Sequence, residues 1–127
     1  MFGWGDSDNS HREVYGDHEH KSKFSHELLG GAAAFEGMKL FEDHQRKEGK
    51  PVSHKFAKEA IAGLIGAEVD KLAETKGMDK VDKIKAHEHA KKHAESMYDE
   101  HYVGRHGASE YNPSRYGKHE SFTSRGW

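Results

Sequence analysis

Apolar and small residues recur at spacings of three and four in the middle of the chain and lose that period at both ends. Residues 1–24 are rich in Gly, Asp and His, and residues 103–127 are rich in Gly, Ser and Tyr. Residues 25–102 carry the helical period without strand-like alternation. The pattern therefore predicts one helical domain with an irregular arm at each end.

Capping and breaking residues divide this central zone into three helices. Ser25, Ser53 and Asp79 are suitable starts, while Gly49 and Gly77 are suitable stops. The predicted helices span about residues 25–48, 53–76 and 79–102. Because both connections are short, neighbouring helices should run antiparallel. The predicted fold class is all-α, an antiparallel three-helix bundle or set of helical hairpins.

Small residues interrupt the apolar faces of the first two helices. A glycine in a helix interior costs about 1 kcal/mol relative to alanine, so its repeated use indicates close approach of another helix. That approach has two interpretations: packing inside one bundle, or an interface in a homo-oligomer. The candidate self-association residues are Gly30, Ala34, Gly37, Gly63 and Gly66.

Composition narrows the functional classes. Lys+Arg 20 and Asp+Glu 22 nearly cancel, which argues against a nucleic-acid binder with a basic stripe. The absence of cysteine excludes disulfides and thiolate metal sites. No apolar run is long enough for a membrane span, and the first residues lack the features of a signal peptide. We therefore expect a cytoplasmic protein.

The 12 histidines are the compositional outlier and suggest a metal site. His89 and His93 lie one helical turn apart, and Glu100 continues the same face. Two imidazoles at this spacing can chelate Zn²⁺, with Glu100 as an oxygen ligand. The alternative is a solvated histidine pair. No cofactor is established by this pattern, and zinc is the candidate.

A second constellation comes from aligning the predicted helices. Glu36, Glu68 and His87 fall at similar heights in an antiparallel bundle. Carboxylates buried beside an imidazole shift one another's pKa, as in acid–base sites, but the same trio could form a structural hydrogen-bond layer. Glu42 lies on the apolar stripe of the first helix and is open to the same two interpretations.

An ordered series of segments resembles the fungal CipC-like antibiotic-response proteins over roughly residues 1–100. The segments include Met1–Trp4, Ser25–Leu28, Phe41–His44, Gly49–His54, Glu68–Lys71 and Glu74–Gly77. The resemblance implies a fungal, cytoplasmic, stress-responsive protein and supplies no catalytic residue. A weaker likeness to plant abscisic-acid/stress/ripening proteins implies zinc binding.

These observations favour a non-enzymatic fungal stress-response protein that acts through self-association or partner binding. The alternative is a His-rich protein that binds divalent metal ions. A third hypothesis is a hydrolase or nuclease that uses Glu36, Glu68 and His87.

Overall fold

Helices dominate the part of the chain that the structure, a computed structural model, describes: residues 4–16, 26–77, 79–124 and 126. The helices are α1 (Trp4–Gly16), α2 (His26–Glu48), α3 (His54–Lys76), α4 (Lys80–Tyr98) and α5 (Glu120–Thr123). Helix α4 continues directly into a π-helical segment, Asp99–Arg105. The predicted all-α helical bundle is confirmed. No helix in the described ranges combines the length and apolarity needed to cross a membrane.

Helix α2 is the centre of the bundle and packs against α1, α3 and α4. Close approach is possible because glycines face the neighbouring helices. A Cβ atom at Gly30 would lie 2.8 Å from the Cβ of His89 on α4, and one at Gly37 would lie 2.7 Å from Cγ1 of Ile65 on α3. Helix α4 presents buried alanines at positions 86, 90 and 94. Small residues thus bring three helices together inside one chain.

Capping residues define the helix ends at the α2–α3 and α3–α4 connections. The Ser53 hydroxyl accepts a hydrogen bond from the Phe56 N–H at 3.1 Å and starts α3. Gly77 ends that helix with φ 70°, a left-handed conformation that glycine adopts without a steric penalty. Asp79 accepts from the Asp82 N–H at 2.8 Å and starts α4. Ser25, the predicted first cap, lies outside the described residues.

At the N-terminus the structure differs from the predicted irregular arm, because residues Trp4–Gly16 form a helix. Four of its buried side chains are spaced by three and four, Trp4, Ser7, His11 and Val14, and Ser10 beside them is buried as well. Only two of them are apolar, so the stripe is weak as a hydrophobic pattern. Docking against α2 supplies the stability that the local sequence lacks.

The C-terminal arm is also packed onto the bundle in its described part. Tyr111 forms an isolated antiparallel bridge with Val52, with both N–H···O distances at 2.9 Å. Tyr111 and Phe122 are buried. The helical backbone also passes the predicted end at residue 102 and continues to Arg105. The described parts of both arms, residues 4–16 and 103–124, therefore belong to the folded unit.

A matched pair of glycines tests this packing. We expect Gly30→Ala to lower the free energy of unfolding by about 1–3 kcal/mol, because the added methyl group overpacks the contact with α4. Gly63→Ala should raise it by up to about 1 kcal/mol through helix propensity, because no described atom lies within 4 Å of a Cβ there. Urea unfolding of both variants measures the difference. Equal effects would contradict the close approach at Gly30.

Candidate functional site

A buried carboxylate on α2 organises the polar interior. Glu42 is fully buried and accepts hydrogen bonds from the hydroxyl of Tyr102, in the π-helical segment, and from the hydroxyl of Tyr111 at 2.6 Å. Arg46, one turn along α2, donates from Nε to Glu42 at 3.0 Å. We call these four residues the Glu42 cluster. It joins α2 to two segments far along the chain.

Arg46 extends the Glu42 cluster into the C-terminal region. Its Nη1 donates to the carbonyl of Pro113 at 3.1 Å, and its Nη2 donates to the carbonyl of Tyr116 at 2.9 Å. The same Nη2 contacts the Tyr102 hydroxyl at 3.1 Å. All three guanidinium nitrogens are therefore engaged, and the turn around residues 113–116 is held against α2.

The pKa values of Tyr102, Tyr111 and Arg46 in the Glu42 cluster are all raised. Burial, followed by the negative charge of Glu42, raises the pKa of the Tyr102 and Tyr111 phenols. Burial acts to lower the pKa of Arg46, but Glu42 and the two phenols outweigh it, so that pKa is raised. The phenols stay protonated as donors and the guanidinium stays charged. Glu42, Tyr102 and Tyr111 are buried, whereas Arg46 is partly exposed, and the hydrogen bonds of the cluster hold α2 against the C-terminal region.

A second polar link fixes α3 to α4. Nε2 of His54 lies 2.8 Å from the Ala108 carbonyl and must donate to it. Nδ1 of His54 then accepts from the Tyr98 hydroxyl at 2.6 Å. This arrangement fixes the orientation of the His54 ring and ties the loop at residue 108 to the start of α3.

Histidines surround Trp4 where α1 meets the C-terminal region. The Trp4 indole stacks on the His119 ring with centroids 4.0 Å apart, and its Nε1 donates to the Met97 carbonyl at 2.9 Å. Nε2 of His101 donates to the Gly117 carbonyl at 2.8 Å, while its buried Nδ1 has no hydrogen-bond partner among the described residues. We call Trp4, His101 and His119 the Trp4 cluster.

Both histidines of the Trp4 cluster are held neutral. Burial lowers the pKa of His119 to about 4, with Glu120 opposing the shift only in part. Burial also lowers the pKa of His101, although its bond to the Gly117 carbonyl opposes the change. Nδ1 of His119 accepts from the Ser121 N–H at 3.0 Å, so a proton on that nitrogen would break the cap of α5.

An open apolar groove of about 560 Å³ separates the solvent-facing edges of α2 and α3. It is lined by Leu40, Phe41, His44, Gln45, Phe56, Glu59, Ala60, Gly63 and Leu64. Of its two phenylalanines, Phe56 is 52% exposed and Phe41 is buried. Gly63 leaves the groove unobstructed, because no described atom approaches within 4 Å of its would-be Cβ position. We call this feature the α2–α3 groove.

The predicted acid–base trio is divided among different contacts. Oε1 of Glu36 lies 2.7 Å from Nε2 of His11 on α1, and this hydrogen bond is the main cause of the lowered pKa of Glu36. Glu68 is buried on α3. The ring of His87 faces Gly66, whose would-be Cβ lies 3.2 Å from Nε2 of His87. The partner of Glu36 is thus a histidine that the sequence pattern did not select.

The predicted metal residues lie along α4 and its continuation. The rings of His89 and His93 are nearly parallel, with an interplanar angle of 14° and centroids 5.8 Å apart. Glu100 is exposed in the π-helical segment. Over the described ranges, no group of three or more His, Asp or Glu side chains could hold a metal ion. Zinc binding by His89 and His93 stays a prediction.

The candidate self-association residues divide into two sets. Gly30, Ala34 and Gly37 are buried, so their surface is used inside the chain. Gly66 is half-buried beside His87. Gly63 is exposed and lines the α2–α3 groove. The first three residues thus pack within one chain, one of the two predicted interpretations, and self-association stays a prediction.

Sequence reasoning missed the partners that make Glu42 stable. Its place on an apolar stripe was a signal of burial, but Tyr102 and Tyr111 are 60 and 69 residues away along the chain. The tyrosines and the histidines of the C-terminal arm lack a period that would have assigned them to a cluster. Their excess in an otherwise polar segment was the available signal.

The fold and its interior define a small helical-bundle protein with a largely buried polar cluster and an open apolar groove. The family model described as virulence factor CipC-like matches residues 10–101. The chain therefore belongs to the CipC-like family, as its sequence segments predicted. Comparisons with curated proteins and with solved structures gave no match.

Removal of Arg46 tests the Glu42 cluster. Arg46→Met should lower the free energy of unfolding by about 3–5 kcal/mol, because it leaves a buried carboxylate without its countercharge. Arg12→Met is the control, since Arg12 forms an exposed pair with Asp8 at the same spacing, worth about 1 kcal/mol or less. Urea unfolding measures both. Similar losses in the two variants would refute a structural role for the cluster.

Acidification tests the Trp4 cluster. The unfolded chain protonates His119 near its usual pKa of 6.5, whereas the folded chain does so near 4. The unfolded state therefore binds more protons between these two pKa values. As the pH is lowered through this range, the free energy of unfolding should decrease by up to about 3 kcal/mol. Above pH 6.5 the contribution of His119 is fully present.

Unfolding midpoints in urea, measured across this pH range, should fall less steeply for His119→Asn than for the unaltered protein. The asparagine oxygen can still cap α5 but does not titrate. His44→Asn removes an exposed imidazole and serves as the control. An unchanged slope in His119→Asn would exclude His119 as a source of the acid sensitivity.

Proposed function

We propose that this CipC-like protein is a non-enzymatic protein of the fungal stress response that acts by binding an apolar partner in the α2–α3 groove. The observation that carries the proposal is the groove itself: about 560 Å³ of open space lined mainly by apolar side chains. Volumes of roughly 300–1,000 Å³ are typical of ligand-binding clefts. A cytoplasmic location belongs to the same proposal.

An exposed aromatic side chain at the groove supports binding at this place; the other exposed large apolar residues, Val81, Ile84 and Val103, lie outside it. A half-exposed phenylalanine, Phe56, stands at the rim, where burial by a partner would remove its ring from water. Leu64 and Ala60 are only partly buried and pack on the core beneath. Burial of large apolar side chains in a concave site is the usual source of affinity for an apolar partner.

The state of the titratable groups supports a role without turnover. Glu42 is saturated by donors from its own chain and has no exposed surface. Glu36 is engaged by His11. An acid–base catalyst needs a titratable group within reach of a substrate, whereas these carboxylates are engaged within the fold.

Self-association, the other predicted mode of action, would need a surface outside the bundle. Gly30, Ala34 and Gly37 are buried against neighbouring helices, which leaves Gly63 and the rim around Phe56. The same groove would therefore serve a second copy or another apolar partner, and the oligomeric state distinguishes the two.

A blocking variant tests the proposal. Gly63→Leu adds a side chain to the groove at an open position, while Gly5→Leu adds one on the exposed side of α1. We expect the unaltered protein to bind the neutral dye N-phenyl-1-naphthylamine. Gly63→Leu should weaken that binding by about tenfold or more, or about 1.4 kcal/mol, and Gly5→Leu should not.

Dye fluorescence and sedimentation velocity are measured on the same samples. Equal binding by all three proteins would overturn the proposal. A dimer that grows with protein concentration and is lost in Gly63→Leu would assign the groove to a second copy.

A further inference from the structure

From the chemistry of the groove, we infer that the α2–α3 groove binds a flat, cationic, ring-bearing small molecule, with Glu59 as its countercharge. This inference rests on the proposed function and names the ligand class of the same site. Three features carry it: the size of the groove, its aromatic side chains and the hydrogen-bonding character of its polar residues.

The size of the groove favours a small molecule over a protein surface. From Phe56 to Leu64, the α3 wall extends about 12 Å at about 1.5 Å per residue. A stable protein–protein interface buries roughly 800 Å² on each partner, which requires a much longer contact. A volume of about 560 Å³ instead suits a ligand of a few fused rings.

The apolar lining favours an aromatic ligand. Phe41 contributes from the floor and Phe56 from the rim, on opposite helices. A flat ring packed against the exposed side chain of Phe56 gains stacking or edge-to-face contacts in addition to burial. The negative faces of the phenyl rings also attract a cation.

The polar lining favours a ligand that donates hydrogen bonds. Glu59 is the acidic side chain among the described residues of the groove wall, and it is exposed at the rim. Nε2 of Gln45 already donates to the Lys50 carbonyl at 3.0 Å, so the amide oxygen is the group of Gln45 left to accept. His44 contributes an exposed imidazole.

Two neighbouring lysines are engaged with other carboxylates, whereas Lys55, one helical turn before Glu59 on the same face of α3, is an exposed positive charge. Lys39 contacts Asp43 at 2.8 Å, and Lys58 contacts Asp99 on the π-helical segment at 2.7 Å. An anionic ligand would meet the carboxylate of Glu59 and the oxygen of Gln45. A cationic ligand meets complementary groups at the same positions.

Three dyes of similar shape and different charge test the inference: proflavine (cationic), acridone (neutral) and 9-anthracenecarboxylate (anionic). Each dissociation constant is measured by fluorescence titration of the full chain at neutral pH. We expect proflavine to bind most tightly and the anion most weakly. Glu59→Gln should weaken proflavine by about two- to fivefold, the range of an exposed ion pair, and leave acridone unchanged.

Two further variants locate the binding. Gly63→Leu should weaken all three dyes, whereas Glu74→Gln, which removes an exposed carboxylate from α3 outside the groove, should weaken none. Proflavine binding that Gly63→Leu does not alter would place the dye elsewhere and overturn the inference.

The outcomes separate this inference from the proposed function. If the anion binds as tightly as proflavine, or Glu59→Gln has no effect while Gly63→Leu still blocks binding, the cationic ligand class is wrong and the groove stands as an apolar site. If none of the dyes binds, including N-phenyl-1-naphthylamine, both fail.

Discussion

A buried carboxylate is stable only where hydrogen-bond donors and positive charge replace its hydration. Glu42 is such a carboxylate, and its donors come from distant parts of the chain. Its donors are Arg46 on the same helix, Tyr102 in the π-helical segment and Tyr111 in the C-terminal region. Satisfying one buried group thus fixes α2, the continuation of α4 and the chain that follows. The Val52–Tyr111 bridge extends this constraint to the α2–α3 connection.

The Glu42 cluster also determines the rigidity of the α2–α3 groove. Glu42 and Arg46 alternate along α2 with Phe41 and Gln45, which face the groove. The inner side of this helix is anchored by hydrogen bonds, while its outer side forms a wall with space beside it. A fixed wall limits the conformational entropy lost when a ligand binds. The largely buried polar cluster and the open apolar surface are therefore two sides of the same helix.

The sequence was sufficient to predict the helices that have a strong apolar period and recognisable caps, such as α3 between Ser53 and Gly77. It was insufficient for α1, because Ser7 and His11 occupy buried positions that a hydrophobic pattern assigns to solvent. The sequence identified Glu42 as a carboxylate on an apolar helix face. It could not identify the partners of Glu42, because these depend on tertiary contacts that no local spacing encodes. Likewise, the repeated glycines indicated close approach, but only the structure identifies α3 and α4 as the neighbours of Gly37 and Gly30.

The distance along the chain between Glu42 and Tyr111 has a consequence for biosynthesis. During translation α2 leaves the ribosome well before residues 111–116, so the carboxylate and guanidinium of this helix must stay hydrated while later segments are made. Closing so long a loop is entropically slower than forming the local helical hairpins. The seam between α2 and the C-terminal region is therefore completed only after residues 111–116 have left the ribosome.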